Sequence, residues 1–342
     1  MAKGSTAAFK GLKIAFLLLG DRNKASSRVR GYWIGEELEI LGHRVSYHRT
    51  SRRRDYLRML AVMLRHDVLI FQKQYSRYDI ALLRLAKIMG KRVFFDIDDA
   101  PSRIEREVTK RNAATMMRET HGVFTGSHNL EALAQESGGA VHFIPSGIRL
   151  SQYQIQTKSE AVPVCLGWIG NGAHYVEDLT TILESPLRLL AAKYDIRLKI
   201  VGACGEQKLA ETFGAIQGLT LDLVDQLNWS DPDEVAAAVA DFDIGLYPLI
   251  ENKFNIYKCA FKALEYMATA IPVVASDVGA NGDVVTHDSD GYLVSTSDEW
   301  ATCLSHLIED DGERRNFGVR GRTKVEERYS TKVLAAQISE LL

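Results

Sequence analysis

Four cysteines in 342 residues, Cys165, Cys204, Cys259 and Cys303, stand far apart, with no Cys-x-x-Cys pair and no histidine at ligand spacing. That scarcity argues against a disulfide-built secreted scaffold and a cysteine-ligated zinc module. It predicts buried free thiols in a reducing cytoplasm. Long apolar runs are missing too. Ile14–Leu19 is far short of a membrane span and is followed by Gly20-Asp21-Arg22, so it reads as a strand, and neither a membrane helix nor a secretory leader is expected. No segment is low in complexity, and 46% hydrophobic with 25% charged residues is ordinary for a globular protein. The net charge of -2 hides an asymmetry. Residues 1–160 carry 27 Lys and Arg against 16 Asp and Glu, and residues 161–342 carry 15 against 28, so the first half is the one that would face an anionic partner. No aromatic-basic interleaving accompanies that charge, and nucleic acid is not an expected partner.

What is present is concentrated in Lys258–Gly279. Lys258, Lys262 and Glu265 are spaced four and three apart, which on a helix sends all three to one side, with Leu264, Met267 and Ala268 on the packed side. Ile271–Ala275 follows as a short apolar strand, and Asp277–Gly279 ends it. Two ammonium groups and a carboxylate at the carboxyl edge of an α/β sheet suit a ligand that carries phosphates and a sugar diol. The segment resembles the signature of the family-four (group 1) retaining nucleotide-sugar glycosyltransferases of the GT-B fold. Their pattern is a glutamate, seven residues, a second glutamate, then Met-Ala-x-Gly-x-Pro-Val-Val. Glu265 falls on the second glutamate, and Met267-Ala268 with Ile271-Pro272-Val273-Val274 follows in register. Tyr257 stands at the first glutamate and Ala270 at the glycine, and the form Lys-Cys-x-Phe-Lys is similar to a sub-branch that also lacks the first glutamate.

The rest of the chain alternates short apolar runs with amphipathic stretches, the pattern of parallel sheets covered by helices on both faces. Strands are expected at 13–19, 44–48, 67–72, 92–97, 122–125 and 141–144, then at 162–168, 197–202, 219–224, 243–248, 271–275 and 291–294. The fold class expected is α/β, and the resemblance makes it GT-B: two Rossmann-like α/β/α domains facing a central cleft. The boundaries expected are 1–150 for an acceptor domain, 151–328 for a donor domain, and 329–342 for a helix that crosses back to the first domain. A hinge is expected from Pro145-Ser146-Gly147 to about Ala161.

Several further clusters could carry chemistry. Gly20 ends the first strand, and Arg28 and Arg30 open the next helix, which suits an anion. Asp96, Asp98 and Asp99 stand at the end of the fourth strand; a divalent-metal Asp-x-Asp reading is discounted here because single-domain metal enzymes do not fit the length, and Asp98 and Asp99 are taken as substrate contacts. Gly170 and Asn171 lie in a glycine-rich turn after the first strand of the second half, with Gly202 on the same edge. Arg52, Arg53, Arg54, Arg58 and Arg65 share a stretch in which Leu57, Leu60 and Leu64 are expected to dock on the sheet. That stretch also suits an anionic membrane surface.

The resemblance implies a cytoplasmic enzyme that needs no metal or cofactor and moves a sugar from a nucleotide-diphosphate donor to a glycan, lipid-linked or small-molecule acceptor with retention, and the basic stretch adds peripheral contact with the inner membrane face. In that scheme Glu265 takes the ribose hydroxyls and Lys258 and Lys262 the diphosphate. Tyr257, Gly170, Asn171, Gly202, Gly279, Gly20 and Arg28 line the donor site, and Asp98 or Asp99 orients sugar and acceptor. The alternatives are a GT-B subunit that binds a nucleotide sugar without transferring it, favoured by Tyr257, and a sugar epimerase on the same donor.

Overall fold

The structure is a computed structural model that describes residues 11–49, 56–100, 107–155 and 163–342. The chain divides into two compact units. One holds residues up to Gly126, then Leu130–Gly147 and Thr331–Leu342; the other holds Ser127–Asn129 and Ile148–Ser330. Arg52–Arg54 and residues 156–161 of the expected hinge lie outside the described residues.

All twelve expected strands form, each within about three residues of the expected ends. In the first unit they are β1 (Lys13–Leu18), β2 (Arg44–Arg49), β3 (Val68–Gln72), β4 (Arg92–Ile97), β5 (Gly122–Thr125) and β6 (Val141–Phe143), in the order β2-β1-β3-β4-β5-β6 and all parallel. In the second they are β7 (Val164–Ile169), β8 (Ile196–Val201), β9 (Leu219–Val224), β10 (Ile244–Tyr247), β11 (Val273–Ser276) and β12 (Gly291–Val294), ordered β12-β11-β10-β7-β8-β9. Helices on both faces bury the central strands completely, which is why β3 and β7 read as unbroken apolar runs. This is a two-unit α/β fold.

In the second unit the helix Gly172–Ala191 packs Leu179, Leu183, Leu187 and Leu190 with Trp300, Leu304 and Leu307 on one face of the sheet. Val235, Val239, Leu264 and Met267 fill the other. The strand order reverses between β7 and β10, and the loops that leave their carboxyl ends diverge there, so a crevice for a ligand is expected at that point.

The first unit is closed by the helix Thr331–Leu341, whose Leu334, Ala335 and Ile338 join Ile34 and Leu38 of the helix Trp33–Ile40 in one cluster. Beneath it, Arg30 departs from its expected role at an anion site. A π-helical segment, Arg28–Tyr32, turns it inward, where it is 5% exposed. Its guanidinium donates to both oxygens of Asp96 at 2.5–3.2 Å and to the Ile144 carbonyl at 2.7 Å.

The helix Tyr56–Arg65 corrects another expectation. Met59, Val62 and Met63 face Leu17, Leu69, Phe71 and Leu82, whereas Leu57 is 80% and Leu64 69% exposed. Leu57, Ala61 and Leu64 follow one another at i, i+4 and i+7, so they form an outward stripe, with Arg58 and Arg65 also exposed.

Cys165 is buried as expected, but Cys204 is exposed.

Candidate functional site

The site is best built from the helix Phe261–Ala268. It starts three residues later than the lysine spacing suggests, because Ala260 takes a left-handed conformation (φ 49) and Lys258 precedes it in extended backbone. Lys262 and Glu265 are therefore helical neighbours, and Lys258 reaches the site from the preceding loop. That loop is tied down by Asp178, which is 7% exposed and accepts from the Ile250 amide at 2.7 Å and from Asn255 Nδ2 at 2.9 Å. Burial pushes its carboxyl above the usual range, and the Ile250 amide and the Lys258 charge oppose the rise. Gly279, at φ 61, lets its own turn pass under the loop: a Cβ there would lie 2.8 Å from the Asn255 carbonyl. Tyr257 is half-buried and donates its amide to Phe254 at 3.3 Å, within the same loop.

The two lysines converge on one ring. Lys258 Nζ lies 4.1 Å and Lys262 Nζ 3.9 Å from the centre of Tyr175, so the charges are within about 8 Å of each other; Lys258 also donates to the Tyr175 hydroxyl. Lys262 further faces Trp168 at 5.4 Å and Tyr247 at 5.1 Å. Among these rings its ammonium loses hydration, and burial pushes it down to about 8 against the pull of Glu265 and Asp178.

Tyr175 sits in the first turn of the 20-residue helix Gly172–Ala191, where the Gly172 amide donates to the Gly202 carbonyl at 2.7 Å and the His174 amide to the Asn171 carbonyl at 3.0 Å. Gly170 lets Lys262 in, since a Cβ there would fall 2.6 Å from Lys262 Cε. Gly202, at φ 84, has no room for a side chain: its Cβ would meet the Gly170 carbonyl at 2.0 Å and Trp229 at 2.7 Å. Asn171 occupies the position before the helix and receives the Cys204 thiol at 3.7 Å without capping the helix amides. The turn after β7, the end of β8 and the lysine loop thus make one corner with two ammonium groups, faced by the carboxylates of Asp178 and Glu265.

Glu265 lies on the same helix, 8% exposed, and its Oε1 accepts from the Tyr153 hydroxyl at 2.9 Å. The spacing reading missed Tyr153, Tyr175 and Asp178. Only Tyr175 left a sequence signal, as an aromatic three residues into a helix that follows a glycine turn.

The first-unit candidates form separate corners. Gly20 donates its amide to Ser27 Oγ at 3.0 Å, and Ser27 donates to Gln72 at 2.9 Å. Arg28 closes its own loop through the Arg22 carbonyl at 3.1 Å and lies 6.0 Å from the Trp33 ring. Asp98 and Asp99 both pair with Lys73, at 3.0 and 3.1 Å. Lys73 has a left-handed backbone, φ 52. Burial would lower both its charge and that of Asp98, but their mutual attraction prevails and keeps both ionised.

The family match falls on the second unit, which carries the lysine pair. Residues 163–310 match the family described as Glycosyl transferases group 1. Across 200 residues the chain is 26% identical to the MMP alpha-(1->4)-mannosyltransferase of Mycolicibacterium hassiacum, covering 58% of this chain and 46% of that one, so it spans about half the length of that relative. It is 21% identical to the N-acetyl-alpha-D-glucosaminyl L-malate synthase of Bacillus anthracis, over 91% of this chain and 92% of the other. Among solved structures, HepE of Anabaena in complex with UDP and glucose superposes with a TM-score of 0.69 at 15% identity, covering 96% of this chain and 99% of that one. That likeness establishes the two-unit GT-B fold. The matched stretch contains Lys258, Lys262, Tyr175 and Glu265, whereas Tyr153 lies before it.

Proposed function

We propose that this chain is a glycosyltransferase that moves a sugar from a nucleoside diphosphate donor to an acceptor hydroxyl, with retention and without a metal. The observation that carries the reading is the pair of ammonium groups on Tyr175, in the first turn of a long helix and beside the Gly170 turn. Charge grows on a diphosphate leaving group as the glycosidic bond breaks, and fixed cations that meet it there stabilise the transition state more than the ground state. Glu265 would accept the ribose hydroxyls. The names of the matched relatives, a mannosyltransferase and a protein held with UDP and glucose, support a nucleotide-sugar donor. Same-face substitution, in which the donor phosphate takes the acceptor proton, needs no enzyme nucleophile.

Thermal shift against UDP, GDP, dTDP, ADP and CDP, with and without EDTA, tests the donor half. One diphosphate is expected to raise the melting point equally in both, and its sugar derivative to be consumed when an acceptor is supplied. No shift with any diphosphate would remove the reading.

The acceptor we propose is lipid-linked and reached at an anionic membrane surface. No helix among the described residues is long and apolar enough to cross a membrane. The outward stripe Leu57-Ala61-Leu64 with exposed Arg58 and Arg65 is instead suited to lie in the headgroup layer. In flotation at low salt with vesicles containing phosphatidylglycerol, the protein is expected to float, and Leu57→Asp with Leu64→Asp to remain below. Wild-type protein left in the soluble fraction would refute the membrane surface.

A further inference from the structure

The carboxylate of Glu265 is also held from outside its own helix. Its Oε1 receives the hydroxyl of Tyr153, a residue 112 positions earlier, at 2.9 Å, and both side chains are buried, at 3% and 8% exposure. Tyr153 is itself anchored at the backbone: its amide donates to the Leu150 carbonyl at 3.1 Å, and its carbonyl accepts from Arg322 Nη1 at 2.7 Å. The same Arg322 nitrogen donates to the Ala268 carbonyl, at the end of the helix that carries Glu265. Backbone and ring of Tyr153 are thereby fixed to two points of one helix, three residues apart.

We infer that Tyr153 is a positioning residue that sets the orientation of the Glu265 carboxylate toward the ribose of the donor; this rests on the proposed role of Glu265. A glutamate side chain has three rotatable bonds, and ordering it on binding costs affinity. A donor already bound to one oxygen meets that cost beforehand. A carboxylate accepts at about four lone-pair sites, so the phenol bond leaves acceptor capacity for a ligand hydroxyl. Tyr153→Phe removes one hydroxyl and retains the ring that packs in the core, so the fold is conserved while the carboxylate is released.

Isothermal calorimetry with UDP, 2′-deoxy-UDP and 3′-deoxy-UDP, or the corresponding set for whichever diphosphate gives the thermal shift, tests this. Wild-type protein is expected to prefer the ribonucleotide over at least one deoxy form by about tenfold, the size of one charge-assisted hydrogen bond. In Tyr153→Phe the ribonucleotide is expected to weaken about tenfold and the deoxy form less than threefold, so that the preference collapses. A preference that survives in Tyr153→Phe overturns the inference. So does equal weakening of all three ligands, which would make the tyrosine a packing residue only. Wild-type protein that binds the diphosphate without distinguishing the sugars would overturn the ribose role of Glu265 and this inference with it, while the diphosphate corner stands. Binding of no diphosphate would overturn the proposed function itself, and this inference with it.

Discussion

Lys262→Met is expected to cut sugar transfer by about 10²-fold or more and at the same time to raise the stability of the second unit. The loss follows from removing a cation that faces the leaving diphosphate, an interaction made chiefly in the transition state. The gain follows from burial. In the folded chain the ammonium is pushed down to about 8 from an ordinary 10.5, so folding holds this proton less tightly than the unfolded chain does. Between those two values the unfolded state binds more protons, and stability rises with pH; below about 8 the full cost of the buried charge is present. Methionine fills the same space among Trp168, Tyr175 and Tyr247 without that cost, and a gain on the order of 1–3 kcal/mol at pH 7 is expected, shrinking as pH rises above 8. The same titration requires diphosphate affinity to fall as pH passes through about 8. Paired melting curves and donor turnover of the variant at pH 7 and pH 9.5 check this. A variant less stable than wild type at pH 7, or one that keeps its rate, would refute the assignment.

Arg30→Met is expected to destabilise the first unit strongly. It leaves Asp96, 4% exposed, as a buried charge without its bidentate partner, and removing one member of such a pair costs about 3–5 kcal/mol. The Ile144 carbonyl loses its donor as well. Because two units need not unfold together, the effect should be read locally, from hydrogen exchange of β1 and β4. The double variant Arg30→Met with Asp96→Leu should recover a large part of the loss, since two apolar side chains replace the pair. Protection in β1 and β4 unchanged by the single variant would show that the pair contributes nothing to the first unit.

The strands were legible because parallel strands buried on both faces leave continuous apolar runs, and Val68–Phe71 or Val93–Phe95 permit few other readings. Helix faces were harder. Around Tyr56–Arg65 both Leu57-Leu60-Leu64 and Met59-Val62-Met63 are apolar stripes, and periodicity does not say which one meets the sheet. At Lys258 the reading ran the helix too far back because Ala260, the best of helix formers by propensity, adopts the left-handed conformation that ends it. Ala270 does the same where the group 1 pattern has glycine, at φ 58. The partners Tyr153 for Glu265, Lys73 for Asp98 and Asp99, and Arg30 for Asp96 are set by tertiary packing across 25 or more residues, and no local spacing encodes them.

The helix Thr331–Leu341 also orders events during synthesis. Leu334, Ala335 and Ile338 are 0–4% exposed in the core of the first unit, yet the ribosome makes them after the whole of Ile148–Ser330. The first unit emerges first but stays incomplete, with the surface around Ile34 and Leu38 uncovered. The second unit, nearly contiguous in the chain, has every core residue in hand earlier. A nascent chain released at about residue 330 would therefore carry a finished second unit and an unfinished first unit with an open apolar seam, the kind of surface that chaperones hold and that sticks to other chains when they do not.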